Sequence, residues 1–496
     1  MFSLLRIGLM AILATIILCI HPQPAHAFCG FYVAKADTEL YNKASQVAIA
    51  RDGNHTVLTM GNDYQGEVSD FALVVPVPTI IKEDQVDVAN QIVLDRLDDF
   101  SAPRLVEYFD SDPCQIMRPL AARRFSLGAA DAVAETAVAP PPQPSLGVTI
   151  EEQFSVGEYD ILILSAKESD GLETWLRQNQ YQLPEGASQV LAPYIRQGMK
   201  FFVARVNLEE FDSSGYQSLR PLQITYDSPK FMLPIRLGML NADGDQDLIV
   251  YLLSPEGRIE LTNYRTVNIP TDIDLPLFVQ DDFGKVYPEM FQRRYEQENK
   301  NVAFLEYAWD MRSCDPCSAP ILTPDELEAA GVTWLNNPRP KQRTLPPGGV
   351  IIPPPGPPSA SSIFISRLHV RYSRDKFPED LMFQNTSNRQ FFQGRYVTRH
   401  AFTGSLDCPA RLREEYPDAE ARRQLEEWTG QDYRDIVSNA QDQGQQYLRN
   451  LMARFERESQ NLARLTGQDI QTIRQRISDE VPQPTPSPWL IRYPKG

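Results

Sequence analysis

The chain has 496 residues, 42% of them hydrophobic and 23% charged, and a formal net charge of −17. That length suits two or three domains with separate cores. The acidic balance argues against nucleic acid or an anionic lipid surface as partner, because phosphates and lipid head groups would be repelled.

The chain opens as a secretory leader. "MFSLLR" supplies Arg6 and the amino group, "IGLMAILATIILCI" (7–20) is an uncharged apolar run, and Ala25-x-Ala27 offers small residues for cleavage. The run falls short of the roughly 20 apolar residues of a membrane span, so cleavage after Ala27 is expected, with an uncleaved anchor as the alternative. Cys29 is a poor lipid-attachment site because Phe28 replaces the small residue that such processing prefers. No later stretch could span a bilayer. A signal peptide (1–27) therefore predicts a periplasmic or secreted protein with no membrane span after leader removal. The mature chain then keeps Cys29, Cys114, Cys314, Cys317 and Cys408, and His55, His369 and His400. In an oxidising compartment these cysteines default to disulfides, with one thiol left over.

An N-terminal α+β domain is expected over 28–120. "SQVAIAR" and "HTVLTMG" are strands joined by a tight turn at Asp52-Gly53-Asn54. "DFALVVPVP" (70–78) is apolar enough for a strand buried on both faces. "VDVANQIVLDRLDDF" spaces Val88, Ile92 and Leu97 as a helix does. An Ala/Pro-rich linker follows at 121–147.

The central α+β domain, 148–335, carries a strand at "YDILILSA" and a helix at "DGLETWLRQNQY" with Leu172, Trp175 and Leu176 on one side. Five further strands are read at "MKFFVARVN", "LRPLQITY", "FMLPIRLGML", "DLIVYLLS" and "RIELTNYRTVNI". "PEMFQRRYEQENKNVAFLEYAW" reads as one helix with Pro288 in its first turn. Consecutive strands favour an α+β class with mixed, largely antiparallel sheets. In "TPDELEAAG", Thr323 can cap, Pro324 suits the first helical position, Glu326 completes a capping box, and Gly331 ends the helix.

A proline-rich linker (336–361) leads to a C-terminal strand segment (362–410) with strands at "SIFISRLHVRYS" and "RQFFQGRYVTRHAF". From 411 to 480 the chain is helical. "WTGQDYRDI" recurs as "LTGQDIQTI", which predicts helix starts capped by Thr429 and Thr466, with Asp432 and Asp469 three residues on. Leu448, Leu451, Phe455, Leu462 and Leu465 form an apolar stripe, so a helical C-terminal hairpin is expected, ahead of a mobile tail (481–496).

Together "GEVSDFALVVPVP", "RSCDPCSAP" with "LTPDEL", and "RLHVRYSRDKFPEDLMF" resemble the signature stretches of a bacterial family of secreted proteins, domain-of-unknown-function family 2330. The resemblance covers Cys29 to about residue 410. It implies an extracytoplasmic, cell-envelope location and supplies no catalytic residue.

Three groups of residues carry what chemistry there is. Cys314 and Cys317 have the spacing of a thiol–disulfide exchange pair. A thioredoxin-like site, however, sets its first cysteine at a helix N-terminus. Here the next helix starts well after Cys317, and the preceding segment reads as a helix end. Zinc would need four ligands, usually as two close pairs, and Cys29 and Cys408 are single. Structural disulfides are preferred over redox or metal roles, and the pairing stays open: Cys314 with Cys317, or either with Cys408.

In "NADGDQDL", Asn241, Asp243, Asp245 and Asp247 alternate as oxygen ligands do in calcium loops, with Gly244 at the bend. A solvated hairpin turn explains them as simply, so calcium is the only cofactor entertained. In "IFISRLHVRY" alternation sets Arg367, His369 and Arg371 on one face, against Leu368, Val370 and Tyr372. This is a candidate recognition strip for an anionic ligand, or a face paired with acids such as Glu379 and Asp380.

Nucleophile elbows, zinc-protease helices and phosphate-cradling loops are absent from the sequence. The balance is against an enzyme. The expected function is a disulfide-stabilised binding or envelope-associated scaffold protein, with a thiol–disulfide oxidoreductase using Cys314 and Cys317, or a calcium-dependent adhesin-like module, as alternatives.

Overall fold

A computed structural model describes residues 31–34, 41–42, 45–61, 64–65, 71–116, 148–178, 186–207, 209–211, 219–240, 244–335, 363–482 and 484. The leader, Cys29, both linkers and nearly all of the tail lie outside these residues. The chain divides into two compact units. One comprises Met1–Asp98, Ala139–Thr266 and Leu322–Thr386; the other comprises Asp99–Val138, Val267–Ile321 and Ser387–Gly496.

In the first unit Gly53, at φ +59°, turns the chain between strands Ser45–Asp52 and His55–Met60. These join a sheet in the order Phe364–Tyr372, Gln246–Ser254, Ser45–Asp52, His55–Met60, Leu222–Asp227 and Val86–Val88. Every pair is antiparallel except 246–254 with 45–52, which run parallel. The central strand 45–52 is buried on both faces, and its small Ala48 and Ala50 let other elements approach closely. The capping box on helix Pro324–Ala329 forms as read, with the Thr323 hydroxyl accepting from the Glu326 N–H and the Thr323 N–H donating to the Glu326 carboxylate. Gly331 after it takes φ +89° against Val57 and Ala50.

A second sheet of this unit is wholly antiparallel, in the order Phe31–Ala34, Phe71–Val77, Lys200–Val206, Tyr159–Ser165 and Thr149–Val156. Ala72, Val74, Leu164, Phe201 and Val203 share one face by period-two alternation. They bury against Leu172 and Leu176 of helix Ser169–Gln178 and Val190, Leu191 and Tyr194 of helix Ala187–Arg196. The segments expected as separate domains (28–120, 148–335 and 362–410) thus share sheets, because strand pairing here joins residues far apart in sequence.

The second unit holds a short parallel sheet of Ile273–Asp274, Arg395–His400 and Arg104–Phe109. Over it lie the helices Val279–Gln297, Tyr433–Thr466 and Ile470–Glu480. Val279, Val286, Met290, Tyr396, Leu451, Phe455, Leu462, Ile473 and Ile477 form one core. The class is α+β with mixed and antiparallel sheets and C-terminal helices, as the sequence predicts.

Four local expectations need correction. The stretch read as one helix from Pro288 to Trp309 is the helix Val279–Gln297 followed by the strand Val302–Asp310. Asn299 and Lys300, both at positive φ, break it, and Pro288 lies inside the helix because burial of Val279, Val286 and Met290 fixes the earlier start. Val88 belongs to a strand, and the helix Ile92–Ser101 buries Val93, Leu94, Leu97 and Phe100 while Ile92 is exposed. "FMLPIRLGML" contributes only Met232–Leu233 as strand, since Pro234 cannot extend the ladder.

The repeated TGQD stretches are helix-to-helix turns in which Asp432 and Asp469, not Thr429 and Thr466, are the N-caps. Each threonine ends the preceding helix and donates its hydroxyl to a carbonyl four residues back. Gly430 and Gly467 then take the left-handed conformation.

Candidate functional site

The CxxC loop follows the strand Val302–Asp310 in the second unit, so a strand end, not a helix end, precedes it. Asp310 anchors the start. Its buried carboxylate accepts from the Arg312 guanidinium at 2.9 and 2.7 Å and from Arg389 at 2.8 Å. Burial pushes the Asp310 carboxyl up, but the hydrogen bonds and charge of Arg312, with Arg389, outweigh it and hold the group below its ordinary range.

The sulfurs of Cys314 and Cys317 are at bonding distance, with Cα atoms 4.9 Å apart, inside the span that a disulfide allows. Three side chains hold the loop from outside the pair. Gln393 donates to the Asp315 carbonyl at 2.8 Å, the buried Arg104 donates to the Pro316 carbonyl at 2.8 Å, and the Ser318 hydroxyl donates to the Asp99 carbonyl. Arg104 is itself fixed by the Phe100 carbonyl and the Tyr307 ring face. Cys314 is half-buried and Cys317 exposed.

Cys408 pairs with Cys114 instead, their Cα atoms 5.0 Å apart. This answers the pairing question for the described cysteines. Cys408 is fully buried and Cys114 nearly so, among Leu412, Leu425, Ile436 and Ala440. The Asp407 side chain caps the helix that begins at Cys408, accepting from the Ala410 N–H.

In the first unit the expected alternation of strand Phe364–Tyr372 is found. Leu368, Val370 and Tyr372 are buried, while His369 and Arg371 are half-buried. The antiparallel register sets Arg371 opposite Asp247 and Arg367 opposite Tyr251. Asp247 accepts from Arg371 at 2.7 and 2.6 Å and lies 3.0 Å from His369 Nε2. Arg367 is buried and donates to Asp98 at 2.7 Å, an oxygen shared with the Tyr251 hydroxyl. The acids that answer the strip are therefore Asp247 and Asp98, not Glu379 and Asp380. Burial pushes the Asp247 carboxyl up, yet hydrogen bonds and charge from His369 and Arg371 hold it far below the usual carboxylate range.

Of the calcium candidates, Asn241 and Asp243 lie outside the described residues. Asp245 precedes the strand Gln246–Ser254, and Asp247 sits within it with its carboxylate committed to His369 and Arg371. Among the described residues no group of three or more His, Cys, Asp or Glu is disposed to hold a metal ion, and no helix is long and apolar enough to cross a membrane.

Sequence reasoning missed the partners of several buried charges. Asp380 accepts from the Tyr194 hydroxyl at 2.6 Å, the Ile235 N–H at 3.0 Å and Arg236 Nε at 3.1 Å. Glu158 accepts a fork from Arg220 at 3.1 and 2.6 Å. Glu458 is buried on the long helix. Glu158 and Glu458 belong to no motif, and the partners of all three are defined only by tertiary neighbours.

Comparison with curated proteins and with solved structures finds no match. The family described as "uncharacterized protein conserved in bacteria (DUF2330)" matches residues 23–384, and the chain belongs to it.

Proposed function

We propose that this chain is a disulfide-braced binding or scaffold protein of the bacterial cell envelope, delivered across the cytoplasmic membrane by a signal peptide and processed near Ala27. The observation that carries the reading is the Cys114–Cys408 pair: buried, apolar in its surroundings, and separated by 294 residues in sequence. In the chain-entropy account, closing a loop of that length stabilises a fold by about 6 kcal/mol, against about 2 kcal/mol for a separation as short as that of Cys314 and Cys317. Such a brace persists only where thiols are oxidised. The apolar run and small-residue cleavage site at the N-terminus support the same location. The strip at Arg367, His369 and Arg371 is given no ligand role, since each cation faces an acid of its own unit.

The test is peptide mapping, without reduction, of protein recovered from its native compartment. A mature N-terminus at Phe28 and a linked Cys114–Cys408 peptide are expected. Full-length protein in the cytosol with both thiols free would refute the proposal.

A further inference from the structure

The two cysteine pairs sit in opposite surroundings. Cys114 and Cys408 are sealed in an apolar core and tie together distant parts of the chain. Cys314 and Cys317 are three residues apart, and Cys317 is exposed. A bond across so short a loop constrains little of the unfolded chain. The loop also has its own restraints, from Gln393, Arg104 and Ser318 to the carbonyls of Asp315, Pro316 and Asp99. None of those three hydrogen bonds involves a sulfur atom.

An aromatic shelf flanks the residues that hold this loop. Phe391 is 54% exposed and stacks on Trp309 with ring centroids 4.4 Å apart. Gln393, which grips Asp315, lies two residues further along the same edge and pairs with Tyr307. The two rings are thus two residues along from Tyr307 and Gln393, the side chains through which the loop is held, and Cys317 itself is exposed. Apolar side chains flanking a cysteine would rest on the rings.

We propose that Cys314–Cys317 is a thiol–disulfide exchange site for dithiols of other proteins, with Cys317 the sulfur attacked and the Trp309–Phe391 shelf its peptide contact. A thiolate of the partner dithiol attacks Cys317 Sγ. The Cys314–Cys317 bond breaks, and Cys314 leaves as a thiolate that takes a proton from water. The partner's second thiolate then attacks the mixed disulfide and releases Cys317, which is protonated in turn. The partner dithiol has lost two electrons and two protons, and the Cys314–Cys317 pair has gained them, one exchange per chain.

The test uses the mature, oxidised protein and a synthetic dithiol peptide with aromatic residues beside its cysteines. One equivalent of peptide is expected to be oxidised per chain, with Cys314 and Cys317 becoming alkylatable while Cys114 and Cys408 stay protected and the circular dichroism is unchanged. Phe391→Ala should slow the peptide reaction about five-fold, a modest hot-spot loss, while leaving the reaction with glutathione unaltered. With the oxidised peptide, Cys314→Ser should trap a mixed disulfide at Cys317. If Cys314 and Cys317 open only together with Cys114–Cys408, as the chain unfolds, the pair is a brace and the proposal is overturned. Equal slowing of peptide and glutathione reactions by Phe391→Ala would overturn the role of the shelf. Loss of the Cys114–Cys408 link in the mapping experiment bears on the envelope reading instead, so the two failures are distinguishable.

Discussion

Replacing Glu458 by glutamine should stabilise the protein at alkaline pH and leave it unchanged near pH 4.5. Glu458 is 2% exposed on the helix Tyr433–Thr466. Its cationic neighbour Arg454 approaches to only 3.4 Å, because that guanidinium is already held by Asp110 at 2.9 Å to both oxygens. Asp274 adds repulsion, and Arg457 and Arg399 add weaker attraction. Burial dominates, and the carboxyl is pushed up from 4.5 to about 7. The folded state therefore binds this proton more tightly than the unfolded chain does. The group's contribution is most favourable below the unfolded value near 4.5, declines as pH rises, and levels off above about 7. At 1.36 kcal/mol per unit, the loss across that window is about 3 kcal/mol. Glutamine keeps the neutral shape at every pH. Glu458→Gln should thus melt roughly 6–12 °C above the parent at pH 8, on the scale of a 150–250-residue unit, and coincide with it at pH 4.5. Calorimetry from pH 4.5 to 8, with disulfides intact, makes the comparison. Curves that stay parallel across the window would refute the burial argument. A glutamine variant less stable than the parent at pH 8 would show that attraction to Arg454 outweighs burial.

Two further substitutions test the first unit. Asp380→Ala removes a carboxylate that answers Tyr194, Arg236 and the Ile235 N–H, and orphaning those buried groups should cost about 3–5 kcal/mol in urea unfolding; a loss below about 1 kcal/mol would contradict the assignment. Gly331→Ala forces a Cβ to 2.6 Å from both Cβ and Cγ1 of Val57 at φ +89° and should cost about 2–4 kcal/mol, of which Val57→Ala in the same chain relieves only the Cγ1 contact and neither the Cβ contact nor the backbone part.

The features legible in the sequence are those whose cause is local. The tight turn at Gly53, the capping box from Thr323 to Glu326 and the alternation of strand 364–372 all stand within a few residues of their signal. Even the TGQD repeat was legible as a helix boundary, although the cap lies on its aspartate because glycine must first end the helix before it. What failed was whatever depends on a distant partner. Helix Ala187–Arg196 contains Pro193 and is secured by the sheet it buries Leu191 and Tyr194 against. The face of Arg367, His369 and Arg371 was readable, but its neutralisation by Asp247 and Asp98 was not, because strand register alone brings those acids into place.

The cysteines divide along the same line. Spacing offered Cys314 and Cys317 as one possible pair and left either open to Cys408, whereas no local signal joins Cys114 to Cys408 across 294 residues. The close pair is also the weaker brace: a short separation constrains few unfolded conformations, so on the proposal above this is the pair that exchanges. The pair that was hidden closes the long loop, and its burial keeps it out of that chemistry.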